Sequence, residues 1–178
     1  MALELALRSV DLDKTDSRGY SELGFVYLYR KEHDLAINAY KRAITLNPND
    51  ADVMSDAADC YTHYGESEKA IDLLTRAMLL NPFYPDQYLW HLAGAYYNLK
   101  RYEDVIESVM KMNNPAEGRR LTAAAFGQLG LEAEARRHAQ MVLEVHPNFS
   151  LDNWAKVQPD LHPEDTEHFV EGLKMAGL

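Results

Sequence analysis

Apolar residues recur along most of this chain at helical spacing. Leu23, Val26 and Tyr27 stand at i, i+3 and i+4, and polar Arg30 follows one turn on. That is the pattern of a helix with one face in a core. Turn signals break the run at Lys31-Glu32-His33-Asp34, Gly65-Glu66-Ser67, Leu99-Lys100-Arg101 and Gly130. A second set of breaks falls at Asn47-Pro48, Asn81-Pro82, Asn114-Pro115 and His146-Pro147, with spacings of 34, 33 and 32 residues. Aligned on these joints, the chain shows columns. Tyr27, Tyr61, Tyr96 and Phe126 form one; Ala36, Ala70, Val105 and Ala135 a second. Tyr40, Leu74, Val109 and Ala139 form a third; Ala43, Ala77, Met112 and Val142 a fourth. Self-similarity at such a period is the mark of a stacked helical repeat. The prolines end the second helix of each pair, and Asp50 and Asp86 are the expected N-caps of the helices that follow. About eleven helices are predicted in all.

These columns resemble the tetratricopeptide repeat (TPR), in which large, Leu-Gly, Tyr, Ala, aromatic, Ala and Pro positions recur in that order. The clearest copy reads Tyr20, Leu23-Gly24, Tyr27, Ala36, Tyr40, Ala43, Pro48. The next reads Met54, Ala57-Ala58, Tyr61, Ala70, Leu74, Ala77, Pro82. The third has Leu89, Leu92-Ala93, Tyr96, Val105, Val109 and Met112, with Pro115 two residues early. The fourth is degenerate, with Arg119, Thr122-Ala123, Phe126, Ala135, Ala139, Val142 and Pro147. The resemblance implies an all-α fold, a right-handed α-solenoid of antiparallel helix pairs with a C-terminal capping helix. It implies repeats over 17–50, 51–85, 86–115 (short) and 116–149 (degenerate). Small residues such as Gly24, Ala36 and Ala43 let helices approach, and large ones such as Tyr27 and Tyr40 fill the space between.

Residues 1–16 read as the second helix of a truncated repeat, since Ala2, Ala6, Ser9 and Leu12 match Ala36, Tyr40, Ala43 and Leu46. Its partner helix is missing, which would leave an apolar face bare. The expectation is a piece of a longer protein cut inside a repeat; the rival reading pairs that face with a second molecule, as a homo-oligomer. Residues 150–178 read as C-terminal helices. Ser150 caps a short helix through Val157, and Pro163, Glu164 and Asp165 open a last one to Met175, stopped by Gly177. Phe169, Leu173 and Ala176 share one side of it, as a cap on the final repeat would need. The tail also resembles the C-terminus of bacterial class III adenylate/guanylate cyclases with C-terminal TPR repeats. Phe149-Ser150, Trp154, Pro159, Pro163-Glu164-Asp165, Phe169, Glu171-Gly172-Leu173-Lys174 and Ala176-Gly177-Leu178 carry that likeness. It implies a bacterial protein with a catalytic domain outside this stretch, and no cyclase metal or nucleotide residue is seen within it.

Composition narrows the partners. Acidic residues number 28 and basic residues 18, for a net charge of −10, which repels phosphate backbones and anionic lipid. A protein or peptide partner is therefore expected, with no nucleic acid and no membrane. The single cysteine, Cys60, excludes an internal disulfide and a Cys-rich zinc site, and fits a reducing cytoplasm. Charge is uneven: residues 51–84 hold six acids and two bases, whereas 116–149 hold four of each, including Arg119, Arg120, Arg136 and Arg137.

By the family's positional pattern, the first helix of each repeat lines the concave side. The resemblance then implies a peptide-binding groove of Arg18, Ser21, Phe25, Tyr29, Ser55, Asp59, His63, Gln87, Trp90, Tyr97, Asn98 and Arg120. Phe25, Tyr29, Trp90 and Tyr97 would anchor an extended or helical segment; Asp59, His63, Asn98 and Arg120 would supply polar contacts. Each aromatic serves equally well as packing between helices, and both readings stand at this stage. A two-carboxylate clamp of the chaperone-binding kind is disfavoured: the matching positions are Ser21, Phe25, Asp56, Gln87 and His91, none of them Lys or Arg. Asp59 and His63 at i, i+4 are two ligands, too few to predict a metal site. No phosphate loop, nucleophile elbow or Cys/His/Asn set occurs, so no enzyme and no cofactor is expected.

Overall fold

The computed structural model describes Met1–Leu178 as eleven α-helices with no β-strand, divided into two compact units. The first unit comprises Met1–Tyr84 and Pro159–Leu161. It contains α1 (Ala2–Leu12), α2 (Ser17–Tyr29), α3 (His33–Leu46), α4 (Ala51–His63) and α5 (Ser67–Leu80). The second comprises Pro85–Gln158 and His162–Leu178. It contains α6 (Asp86–Asn98), α7 (Tyr102–Met110), a 3-10 turn (Pro115–Gly118), α8 (Arg119–Gln128), α9 (Glu132–Val145), α10 (Leu151–Lys156) and α11 (Pro163–Ala176). The all-α class read from the sequence holds. Consecutive helices pack as pairs: α2 with α3, α4 with α5, α6 with α7, and α8 with α9.

The tyrosine column has a backbone role as well as a packing one. Lys31, Gly65, Lys100 and Gly130 all adopt positive φ, between 59° and 89°. Each follows the first helix of a pair. The next amide then reaches back to the column: Glu32 N to Tyr27 O and Glu66 N to Tyr61 O at 2.9 Å, Arg101 N to Tyr96 O at 2.9 Å, Leu131 N to Phe126 O at 3.0 Å. This is the Schellman closure, which satisfies carbonyls that a helix end leaves open. Glycine takes the left-handed position freely, whereas lysine at 31 and 100 costs about 1–2 kcal/mol.

The other columns form the cores. Ala36 and Ala70 in the first unit and Val105 and Ala135 in the second are wholly buried. Tyr40, Leu74, Val109 and Ala139 lie beside them, each at most 4% exposed. Asp16 and Asp50 cap α2 and α4, accepting from Arg18 N and Gly19 N and from Val53 N. Ser150 caps α10 through Asn153 N, and Gly177, with φ 94°, ends α11.

Asp86 departs from expectation. The cap of α6 is Pro85, and Asp86 is the first helical residue. Its carboxylate instead accepts from Asn113 N (2.8 Å), Asn113 Nδ2 (3.0 Å) and Asn114 N (2.7 Å). Burial alone would raise its pKa, but these donors together hold it below the usual carboxylate value. The shortened α7 explains this. It ends at Met110, and Asn114 goes on to cap the 3-10 turn, so Asp86 is recruited to pin the intervening loop.

Within the first unit α1 buries Ala6 against α2, leaving Leu5, Leu7 and Leu12 exposed. Within the second, α11 packs on α8 and α9. A Cβ built on Gly127 would stand 2.5 Å from the Gly172 carbonyl oxygen, so the α8–α11 crossing needs glycine there.

Candidate functional site

The first helices of the pairs carry the side chains singled out by the repeat pattern, and the structure sorts them into three groups. Arg18 is exposed at the start of α2, where its guanidinium pairs with Asp50 (3.4 Å) and Asp52 (3.2 Å). The bond to Asp52 and the charge of Asp50 raise its pKa further. Ser21 is buried and donates to Asp56 at 3.4 Å. Ser55 is 1% exposed. Neither serine faces solvent, so both leave the ligand-facing set.

Phe25 and Tyr29 do face solvent. One turn apart on α2, they are each 50% exposed with ring centroids 4.8 Å apart. Burial, with the charges of Asp59 and Asp160, raises the Tyr29 hydroxyl above its usual range. Asp59 and His63 sit one turn apart on α4. His63 Nε2 lies 3.8 Å from Asp59, and Nδ1 lies 2.5 Å from Asp160 Oδ1. The two carboxylates meet opposite edges of one ring and do not converge on a point, and no group of three or more His, Cys, Asp or Glu in the chain is placed to hold a metal ion.

In the second unit, Tyr97 is the clearest correction to the expected groove. It is wholly buried, packed against Phe169 (4.7 Å), His168 (5.2 Å) and Tyr102 (5.6 Å), and its hydroxyl donates to His168 O at 3.3 Å. α11 has taken the place a ligand would need. Burial holds the hydroxyl far above its usual range. Asn98, at the last position of α6, is half-buried.

Gln87, Trp90 and Arg120 come together. With Glu117, Arg119, Met141, Val142, Val145 and His146 they line a cleft of about 420 Å³ formed by α6, α8 and α9. Gln87 is exposed at the rim, and Trp90 is half-buried beside His91 (5.3 Å). Arg120 is half-buried and has no ion-pair partner; burial lowers its pKa, though the guanidinium stays charged. Its other side faces a second recess with Phe149 and Trp154, its Cζ 6.0 Å from the Phe149 centroid. Arg119 is tied to Met141 O at 3.3 Å. Phe149, Met141 and Val145 are missing from the expected groove because they lie on second helices or joints, away from its columns.

Residues 27–89 match the family model of the tetratricopeptide repeat. No curated protein sequence matches the chain. Among solved structures, the thermophilic TPR protein TTC0263 of Thermus thermophilus aligns with TM-score 0.73 at 20% identity, covering 87% of this chain and 86% of its own. YrrB, described as a TPR protein with an unusual peptide-binding site, aligns with TM-score 0.61 at 19% identity, covering 98% and 92%. Pseudomonas aeruginosa PilF aligns with TM-score 0.67 at 18% identity, covering 93% and 78%. At such identities the likeness shows the fold. No helix is long and apolar enough to cross a membrane.

Proposed function

We propose that this chain is a non-catalytic protein-interaction module that grips a peptide or helical segment of a partner protein. In the second unit the grip is the cleft of Gln87, Trp90 and Arg120. The observation that carries this is Arg120, a half-buried cation with no carboxylate of its own, lining the same cleft as Trp90. A charge held in an apolar recess gains from a carboxylate brought in by a ligand, and Trp with Arg is a common anchor pair at interfaces. The partner segment is therefore acidic with an adjoining apolar residue. In the first unit, exposed Phe25 and Tyr29 give an apolar surface beside the acidic α4. YrrB's peptide-binding site lends the reading a precedent in the same fold. Peptide display against the full chain tests it, run beside Trp90→Ala and Arg120→Ala variants checked for helicity. Peptides lost on both folded variants support the cleft; peptides kept equally on both refute it.

Exposed Leu5 and Leu12, seven residues apart on one side of α1, favour a second reading, self-association through that face. A mass by light scattering that stays monomeric at high concentration refutes it. The tail's resemblance to cyclase C-termini adds the proposal that the module scaffolds or regulates such an enzyme in the same polypeptide. The coding sequence upstream of residue 1 tests that directly.

A further inference from the structure

Pro159–Leu161 joins α10 to α11, yet it belongs to the first compact unit and is held there as a bound peptide would be. The Pro159 carbonyl accepts from His33 Nε2 at 2.6 Å. The Asp160 carboxylate accepts from His63 Nδ1 at 2.5 Å. The Leu161 amide donates to the His63 carbonyl at 2.9 Å. Pro159 is fully buried, and having no N–H it leaves no buried donor unmet.

The segment lies outside any helix or strand, with a bend at Leu161. It is received by His63, a groove position on α4, and by His33 at the start of α3, not by the core columns. His63, whose Nε2 edge is held towards Asp59, was among the expected ligand contacts, and Tyr29, half-exposed beside Phe25, lies within reach of the Asp160 charge.

We propose that His33 and His63 form a docking site for a non-helical Pro-Asp segment, that residues 159–161 occupy it in cis, and that a partner protein bearing such a segment displaces them. This goes beyond the Arg120 cleft and does not depend on it. Specificity follows from the contacts. The proline slot excludes residues whose buried N–H would go unpaired. The imidazole selects a carboxylate over an amide, because a charge-assisted bond is about twice as strong as a neutral one. Tethering gives the internal segment an effective concentration near millimolar. A partner therefore needs contacts beyond the three residues, and the half-exposed Phe25–Tyr29 pair is placed to give them.

The test uses the full chain. A fluorescein-labelled peptide with the sequence of residues 156–164 is titrated by anisotropy against the unaltered chain, Asp160→Asn, and Asp160→Asn combined with His63→Ala. Loosening the internal segment should tighten peptide binding at least tenfold in Asp160→Asn, and His63→Ala should remove the gain. The same peptide carrying Asn for Asp should bind at least fivefold more weakly. Binding to folded Asp160→Asn that is no tighter than to the unaltered chain overturns the proposal, as does indifference to His63→Ala. Where Asp160→Asn loses helicity, Pro159→Ala loosens the slot while keeping the carboxylate and is read the same way. If neither variant folds, the segment is a structural strut and the proposal fails.

Discussion

The crossing of α8 and α11 allows a sharp test of the packing, because two glycines in the same unit predict opposite signs. Gly127 lies in α8 against the backbone of α11. An added methyl there would stand 2.5 Å from the Gly172 oxygen and 3.1 Å from Met175 Cβ. Carbon atoms rest about 3.5–4.0 Å apart, so the helices must separate by close to 1 Å. The obstacle is main chain, which cannot turn aside as a side chain would. Overpacking of this kind costs about 1–3 kcal/mol. Alanine returns about 0.8–1.0 kcal/mol of helix propensity. The net for Gly127→Ala is a loss of up to about 2 kcal/mol. Gly94, inside α6, has nothing within 4 Å of the same added methyl. Gly94→Ala therefore keeps the propensity gain, up to about 1 kcal/mol, with no opposing clash. At about 2–4 °C per kcal/mol for a chain of this size, Gly127→Ala should melt up to about 8 °C lower and Gly94→Ala up to about 4 °C higher. Thermal far-UV circular dichroism measures both. Fluorescence of Trp154, packed at a tilt against Phe169 of α11 with ring centroids 4.9 Å apart, adds a local reading of α11 docking. A Gly127→Ala variant as stable as the unaltered chain, with Gly94→Ala less stable, would refute the reasoning.

Three further outcomes follow from the same structure. Lys100→Gly should relieve the left-handed turn and raise stability by about 0.5–1 kcal/mol, seen as a higher denaturant midpoint at unchanged slope. Burial, with the nearby Lys100 and Arg137 charges, holds His168 and His138 below the ordinary imidazole value of 6.5. The unfolded chain then takes up protons that the folded chain refuses, so stability is full above pH 6.5 and falls as pH drops towards the folded values. Melting temperatures at pH 7.5 and 5.5 should show this fall, and His168→Gln should lessen it. Cys60 is 1% exposed, and burial, with the Asp59 charge, pushes its thiol up to about 12. It should resist a thiol reagent in the folded chain and react fully in denaturant; rapid labelling under native conditions would contradict the packing of α4.

Much of the architecture was legible because a repeat states its rules several times over. Ala36, Ala70, Val105 and Ala135 mark one column, and all four are buried. The alternation of turns and prolines located the helix pairs, and Asp50 and Ser150 signalled their capping roles locally. Asp86 shows the limit. A carboxylate before a helix reads as a cap, but which amides it meets depends on where the chain folds back, and here those are Asn113 and Asn114.

The groove residues divide along the same line. A positional pattern says which side of a helix a residue occupies, and that was enough to bring Gln87, Trp90 and Arg120 to one cleft. It does not say whether that side stays open. Tyr97 is closed over by α11, whose Phe169 and His168 arrive from about seventy residues away along the chain. Asp160 reaches His63 from 97 residues away. Periodicity is a property of neighbouring residues, so the sequence by itself determined the helices, their pairing and their buried faces. Contacts between segments far apart in the chain depend on where loops and short helices carry them, so only the tertiary structure decided which groove positions remain free, which are filled from within, and which cation is left without a partner.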